Sequence, residues 1–324
     1  MRIRNQSYIM PEGPSIIILK EAVASFKGKK ILEASGNARI DTSLFVDQPI
    51  VDICSWGKHF LLVLPACTIR IHFLLFGSYS IDEPTKAGPR LYLRFARGAL
   101  YFYSCSVRVL QGHPGDIYDW SGDVMNDAWN ARKARKKLLA KPETMVCDAL
   151  LDQDIFAGVG NIIKNEVLFR IRVHPESRIG GLPSRKLGEM IREARNYSYD
   201  FLEWKKEFTL KKHWLAHTKK ICPRCHILFI KVQHLGKTLR RAFFCNNCQI
   251  WYMPGAEPAK KEAPAAAVAA PRKKRVTGKV PARVASRGKK QMTGQVPAVP
   301  AARKKRGVAS PVLPARRAGK IKAS

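Results

Sequence analysis

Cys222-Pro-Arg-Cys225, then about twenty residues, then Cys245-Asn-Asn-Cys248-Gln249: this stretch decides how the chain is read. Two Cys-x-x-Cys knuckles at that separation have the spacing of a tetrahedral structural zinc site. Each knuckle turns sharply enough to present two thiolates to one ion, so Cys222, Cys225, Cys245 and Cys248 are the expected ligands. A cytosolic chain would not keep these four as disulfides. Between the knuckles, Phe229 to Phe244 alternates apolar and polar residues around Gly236, which predicts a β-hairpin carrying Lys237, Arg240 and Arg241 at its tip. Zinc would make this finger fold, and the finger would hold a basic tip towards something acidic.

The rest of the chain says what is acidic. Its 324 residues carry a formal net charge of +33, which points to a polyanion, nucleic acid first. The length predicts two domains and additional segments. Cys54, Cys67, Cys105 and Cys147 lack ligand spacing and sit in apolar runs, so they are expected as reduced core residues. No run is long and apolar enough to span a membrane, and the apolar part of Met1 to Ile9 is too short for a signal peptide. The expectation is a soluble protein of the bacterial cytoplasm or nucleoid.

Outward from the finger, the pattern changes twice. Pro14 suits the first turn of a helix, with helical spacing over Ser15 to Phe26 and Gly28 as a stop. Strand-like runs follow at 30–34, 52–64, 68–81, 90–95 and 100–110, separated by turn residues, which predicts an antiparallel sandwich or barrel. After Gly112 the chain turns helical: 127–139, very basic and with Asp127 as N-cap, then 144–151, 162–170 and 185–204. From Pro254 onward Ala, Pro, Lys and Arg dominate, which predicts a disordered basic tail that tethers DNA nonspecifically by counterion release. The expected class is α+β: an N-terminal helix with an antiparallel β-sandwich, then a helix–two-turns–helix domain, a zinc finger and the tail. The expected bounds are 11–125, 126–216, 217–253 and 254–324, after an extension at 1–10.

Gly158-Val159-Gly160-Asn161 precedes the 162–170 helix. Glycines there let backbone approach a phosphate, and the helix start offers free N–H groups, with Asn161 adding a side-chain donor. Leu150 to Glu166 resembles the helix–two-turns–helix of the formamidopyrimidine-DNA glycosylase and endonuclease VIII family. Pro11-Glu12-Gly13-Pro14 is similar to that family's amino terminus in the endonuclease VIII style, Gly57-Lys58 to its β-domain lysine turn, and 222–249 to its finger. The resemblance runs from about residue 10 to 252.

The resemblance implies a bifunctional DNA glycosylase and abasic-site lyase working on damaged double-stranded DNA as a monomer. Pro11 would be the nucleophile, because an N-terminal proline is a secondary amine that forms an iminium with a sugar carbon. Glu12 would shuttle protons and Lys58 would place a cation at the sugar or its phosphate. Leu74, Leu75 and Phe76 occupy the place of the intercalating wedge, Leu75 foremost. His72 stands close enough in sequence to contact phosphate, or else is a satisfied core histidine. Asn161 and Arg240 match the phosphate grips. Ser15 stands where the family usually has a glutamate, with Glu21 or a water as its substitute. Because an acylated proline nitrogen cannot attack a sugar, the mature chain is expected to begin at Pro11. The short charged link 204–220 favours oxidised pyrimidines over formamidopyrimidine and 8-oxoguanine, since purine-oriented members use a longer loop there. Two other classes fit the charge: a non-catalytic DNA-binding protein and a zinc-finger RNA-binding protein. Neither needs Pro11-Glu12 together with the 158–161 turn.

Overall fold

The computed structural model describes residues 11–85 and 88–260. The expected extension and most of the basic tail lie outside the described residues. Helix α1 runs Gly13–Ala22, with Pro14 in its first turn, and a single 3-10 turn at Ala24–Phe26 replaces the end of the expected helix.

Eight strands follow: β1 Ile31–Ser35, β2 Asp52–Trp56, β3 His59–Val63, β4 Cys67–His72, β5 Ser78–Ile81, β6 Leu91–Phe95, β7 Ala99–Tyr103 and β8 Ser106–Gln111. They form two antiparallel sheets, ordered β1-β6-β7-β5 and β2-β3-β4-β8. Phe60, Leu62, Ile69 and Ile71 of one sheet share a core with Ile31, Leu91, Leu93, Leu100 and Phe102 of the other, and Ile16 and Leu19 of α1 join it. This is the expected sandwich, and strand alternation builds it, because every second residue faces the partner sheet.

Two expected strands are each broken. The 52–64 run splits at Gly57, whose φ of +53° is left-handed backbone, into a β2–β3 hairpin that lifts Lys58 to its tip. The 68–81 run splits at a tight turn in which the Gly77 N–H donates to the Phe73 carbonyl at 2.8 Å. A Cβ at Gly77 would lie 2.2 Å from that carbonyl oxygen, so this close approach requires glycine.

The helical part comprises α2 Pro114–Ile117, α3 Ala131–Leu139, α4 Val146–Ala149, α5 Asn161–Arg170 and α6 Ser184–Lys206. Asp127 is not the cap of α3. Asn126 spends its side chain on the Ala128 N–H and holds 126–129 in a turn, so the helix starts later and Asn130 caps it, accepting the Lys133 N–H at 3.0 Å. Strands β9 Ile230–Leu235 and β10 Arg240–Phe244 make the expected finger hairpin, and the short β11 Ile250–Trp251 and β12 Ala259–Lys260 close this part of the chain. Leu235, Ala242 and Phe244 of the hairpin are buried in the same core as Ile162, Ile163, Val167 and Leu168 of α5. Cys67, Cys105 and Cys147 are buried as expected. Cys54 is not: it faces away from the sandwich core, half-exposed, with its thiol on an Asp52 carboxylate oxygen at 3.3 Å. Among the described residues no helix is long and apolar enough to cross a membrane.

Candidate functional site

Glu12 is the hub. It is only 1% exposed, and its carboxylate sits on the start of α5, 148–151 residues away in sequence. Oε1 accepts the Ile162 N–H at 2.7 Å, and Oε2 accepts those of Gly160 and Ile163 at 3.2 Å each. A helix start offers unpaired N–H groups and positive potential, so it holds an acidic group well. Gly160 must lack a side chain here, because a Cβ would lie 2.4 Å from the Glu12 Cδ. Burial raises the Glu12 pKa above the ordinary carboxylate range, while Lys58 and the three N–H groups oppose the rise.

Lys58 arrives from the β2–β3 turn. Burial lowers its pKa, the Glu12 carboxylate resists that shift, and the field of Arg240 adds to it. The turn is locked: the Gly57 N–H donates to Asp123 Oδ2 at 2.9 Å, and a Gly57 Cβ would lie 2.9 Å from the Gly158 nitrogen. Gly13 meets Gly158 as closely, its N–H donating to the Gly158 carbonyl at 2.9 Å. Glycines 13, 57 and 158 thus pack backbone on backbone, which brings the helix start, the β-turn and the two-turn segment to one place. Pro11, half-buried, immediately precedes Glu12 at this junction.

Asn161 is the first residue of α5, next to the N-cap Gly160. Its side chain is buried, and Oδ1 has no hydrogen-bond partner among the described residues. Arg240 is exposed at the start of β10, and its field reaches Lys58. Its strand is held by groups that sequence reasoning missed. Asp148 accepts the Lys237 and Thr238 N–H groups at 2.9 and 3.3 Å across the hairpin turn. Lys164, 1% exposed, donates to the Arg241 carbonyl at 2.9 Å, and Asn165 Oδ1 accepts the Phe243 N–H at 3.2 Å. A lysine and an asparagine inside an apolar helix were the available signal.

Leu74, Leu75 and Phe76 project from the turn between β4 and β5, at 54%, 40% and 68% exposure, and are therefore not the buried strand that their composition alone suggests. His72 is half-buried and accepts the Leu74 N–H on Nδ1 at 3.3 Å, so it braces the turn. Ser15 receives Lys205 Nζ at 2.7 Å, and Glu21 pairs with Lys206 at 3.0 Å. The ligand atoms of Cys222, Cys225, Cys245 and Cys248 all lie within 4.8 Å of one another, with Sγ pairs at 3.7 Å (222–248) and 3.4 Å (225–245). Four thiolates on a tetrahedron with metal–sulfur bonds of about 2.3 Å sit about 3.8 Å apart, so the four cysteines are positioned to bind one metal ion.

Residues 123–206, which carry α3 to α6 and hence the cradle of Glu12, match the formamidopyrimidine-DNA glycosylase H2TH domain. The chain is 27% identical over 232 residues to endonuclease 8-like 3 of Xenopus laevis, covering 68% of this chain and 38% of that protein. It is 26% identical over 285 residues to the formamidopyrimidine-DNA glycosylase of Mycoplasmopsis pulmonis (strain UAB CTIP), covering 74% of this chain and 98% of that one. Over residues 123–206 this chain carries the helix–two-turns–helix domain of formamidopyrimidine-DNA glycosylases, and over most of its described length it is similar to that enzyme and to endonuclease 8-like proteins. A solved structure of similar fold is the Lactococcus lactis glycosylase bound to DNA containing an abasic site, with a TM-score of 0.65, 18% identity, and coverage of 74% of this chain and 99% of that one. At that identity the likeness speaks for the fold alone. The chain spans 38% of the length of the Xenopus relative.

Proposed function

We propose that this chain excises oxidised bases from double-stranded DNA, pyrimidines ahead of purines, and then cuts the strand through an imine between its N-terminal proline and the deoxyribose. The observation that carries the reading is the Glu12 carboxylate seated on the α5 N–H groups beside Lys58 and next to Pro11. Binding alone needs no buried carboxylate with raised proton affinity at the junction of three backbone segments, and such perturbed groups concentrate where chemistry is done.

The roles follow from the groups. The Pro11 nitrogen attacks C1′ as the base leaves. Glu12 carries protons during ring opening and the β- and δ-eliminations that release the phosphates. Lys58 lies at the sugar or its phosphate, and Asn161 and Arg240 grip the flanking phosphates. The base must leave the stack before attack, and Leu74, Leu75 and Phe76 fill the gap. One chain supplies every group, consistent with action as a monomer. The Lactococcus lactis glycosylase is also known bound to DNA containing an oxidised pyrimidine. The pyrimidine preference rests on the link after α6, which is short and pinned: Trp204 stacks on His213 at 4.1 Å, and Glu166 accepts the N–H groups of Leu215, Ala216 and His217. It has little slack to fold over a purine.

Single-turnover cutting of duplexes bearing thymine glycol, dihydrouracil, 8-oxoguanine or no lesion tests this function. Cutting at the two pyrimidine lesions should be faster than at 8-oxoguanine, by at least tenfold, with the undamaged duplex intact. Faster cutting at 8-oxoguanine would reverse the preference, and no cutting of any duplex would leave a DNA-binding protein.

We assign zinc to the four cysteines, as a structural ion away from the chemistry. Metal analysis should return one zinc per chain. Chelation should raise hydrogen exchange most at 221–228 and 245–249, whereas 230–244 should keep protection through Asp148, Lys164 and the shared core. Equal loss over the whole of 221–249 would show that the ion alone holds the hairpin.

A further inference from the structure

The base lies where the sugar puts it. It hangs from the same carbon that the Pro11 nitrogen is proposed to attack, so it must touch groups around the first turn of α1. On the α5 side those groups are committed. The Glu12 oxygens accept three N–H groups, Asp123 accepts those of Gly57 and Met125, and Lys164 donates to the Arg241 carbonyl. The α6 side holds a different pair. Lys205, in the last turn of α6 and mostly buried, donates to Ser15 Oγ at 2.7 Å, and Ser15 lies in the first turn of α1, four residues after Pro11. Among the described residues no carboxylate stands within ion-pair distance of Lys205. A mostly buried ammonium held by a neutral hydroxyl is costly to keep and gains strongly from any arriving anion.

We propose that Lys205 and Ser15 contact the damaged base itself, Lys205 as the acid that takes up the charge of the departing base; the proposal rests on the glycosylase reading above. When the C1′–N1 bond of a pyrimidine breaks, its electron pair moves into the ring and onto the C2 carbonyl oxygen. The Pro11 nitrogen forms the new bond to C1′. Lys205 passes one proton to the carbonyl oxygen, the neutral base departs, and the amine takes a proton back from water. Burial lowers the Lys205 pKa to about 8, with the Glu12 carboxylate opposing, so the ammonium is present at neutral pH and yields a proton far more readily than an exposed lysine. The Ser15 oxygen accepts from Lys205, which leaves its own proton to donate. The pair therefore presents donors and suits a ring edge of carbonyls. Thymine glycol and dihydrouracil have carbonyls at C2 and C4, whereas guanine lesions carry an amino group, itself a donor, at C2.

An abasic site has no base, which gives the test its control. The full chain processed to Pro11 is given duplexes bearing dihydrouracil or a preformed abasic site, under single-turnover conditions. Lys205→Met should slow base release about 100-fold while cutting the abasic duplex within threefold of the unaltered protein. Lys205→Arg, which keeps the charge but does not give up its proton, should recover less than tenfold of the loss, and Ser15→Ala should show a smaller loss of the same kind. Melting curves confirm that each variant is folded. Equal loss on both duplexes, or on neither, overturns the proposal. If the unaltered protein cuts the abasic duplex and releases no base, the glycosylase reading fails first, and that is visible before any variant is made.

Discussion

Borohydride should join the chain beginning at Pro11 to an abasic duplex covalently, and should leave a chain that keeps residues 1–10 unjoined. The difference is all or none because it rests on the bonding of one nitrogen. An N-terminal proline is a secondary amine, and an α-amino group has a reference pKa of about 7.7–8.0, so a useful fraction is neutral near pH 7. With a residue before it the nitrogen is an amide whose lone pair is delocalised into the carbonyl. The neighbouring amines are engaged elsewhere: Lys58 lies in the field of Glu12, Lys164 holds the Arg241 carbonyl, and Lys205 holds Ser15. A denaturing gel reads the adduct, and mass spectrometry reads the N-terminus and the joined residue. An adduct of equal yield on the longer chain, mapped to any lysine, would remove Pro11 from the mechanism.

The parts legible in sequence are those written by short-range spacing. Cys222, Cys225, Cys245 and Cys248 announce their cluster because each pair sits on a single turn. The sandwich is announced by alternation, and α6 by helical periodicity closed with Pro183 before it. The site is legible only in its components. Glu12 and the start of α5 are each visible, but that one docks on the other depends on packing across 148–151 residues, which no local pattern records. The Lys205–Ser15 contact spans 190 residues and stayed hidden for the same reason. Composition alone also misjudges 68–81: the run reads as one buried strand, and only the collision of a Gly77 Cβ with Phe73 shows that the chain turns there and exposes Leu74 to Phe76. Asp127 misled because Asn126 and Asn130, both able to cap, lie on either side of it.

Glu12→Gln should slow lesion excision and strand cutting about 10²–10⁴-fold, the range for loss of a positioned acid–base group. The side chain keeps its size, so the loss should not come from collapse. A glutamine retains one acceptor oxygen where the carboxylate used two, which leaves at least one of the Gly160, Ile162 and Ile163 N–H groups facing an NH2, at a cost of about 1–3 kcal/mol. Against that, the variant no longer buries a charge. The sign of this second effect is fixed by the direction of the pKa shift. Glu12 binds its proton more tightly folded than unfolded, so it lowers stability as pH rises from the ordinary value near 4.5 up to its raised folded pKa. Glutamine does not titrate. The melting temperature of the variant should therefore gain on that of the unaltered protein as pH rises through this interval, and the gap should stay constant above it. Gly160→Ala supplies the steric counterpart, because its Cβ would press on the Glu12 carboxyl from 2.4 Å and displace it while leaving the charge in place. Loss of activity in both variants, with opposite electrostatics and a common displaced carboxylate function, would place the chemistry on this group; full activity in Glu12→Gln would mean that the proton is carried by another.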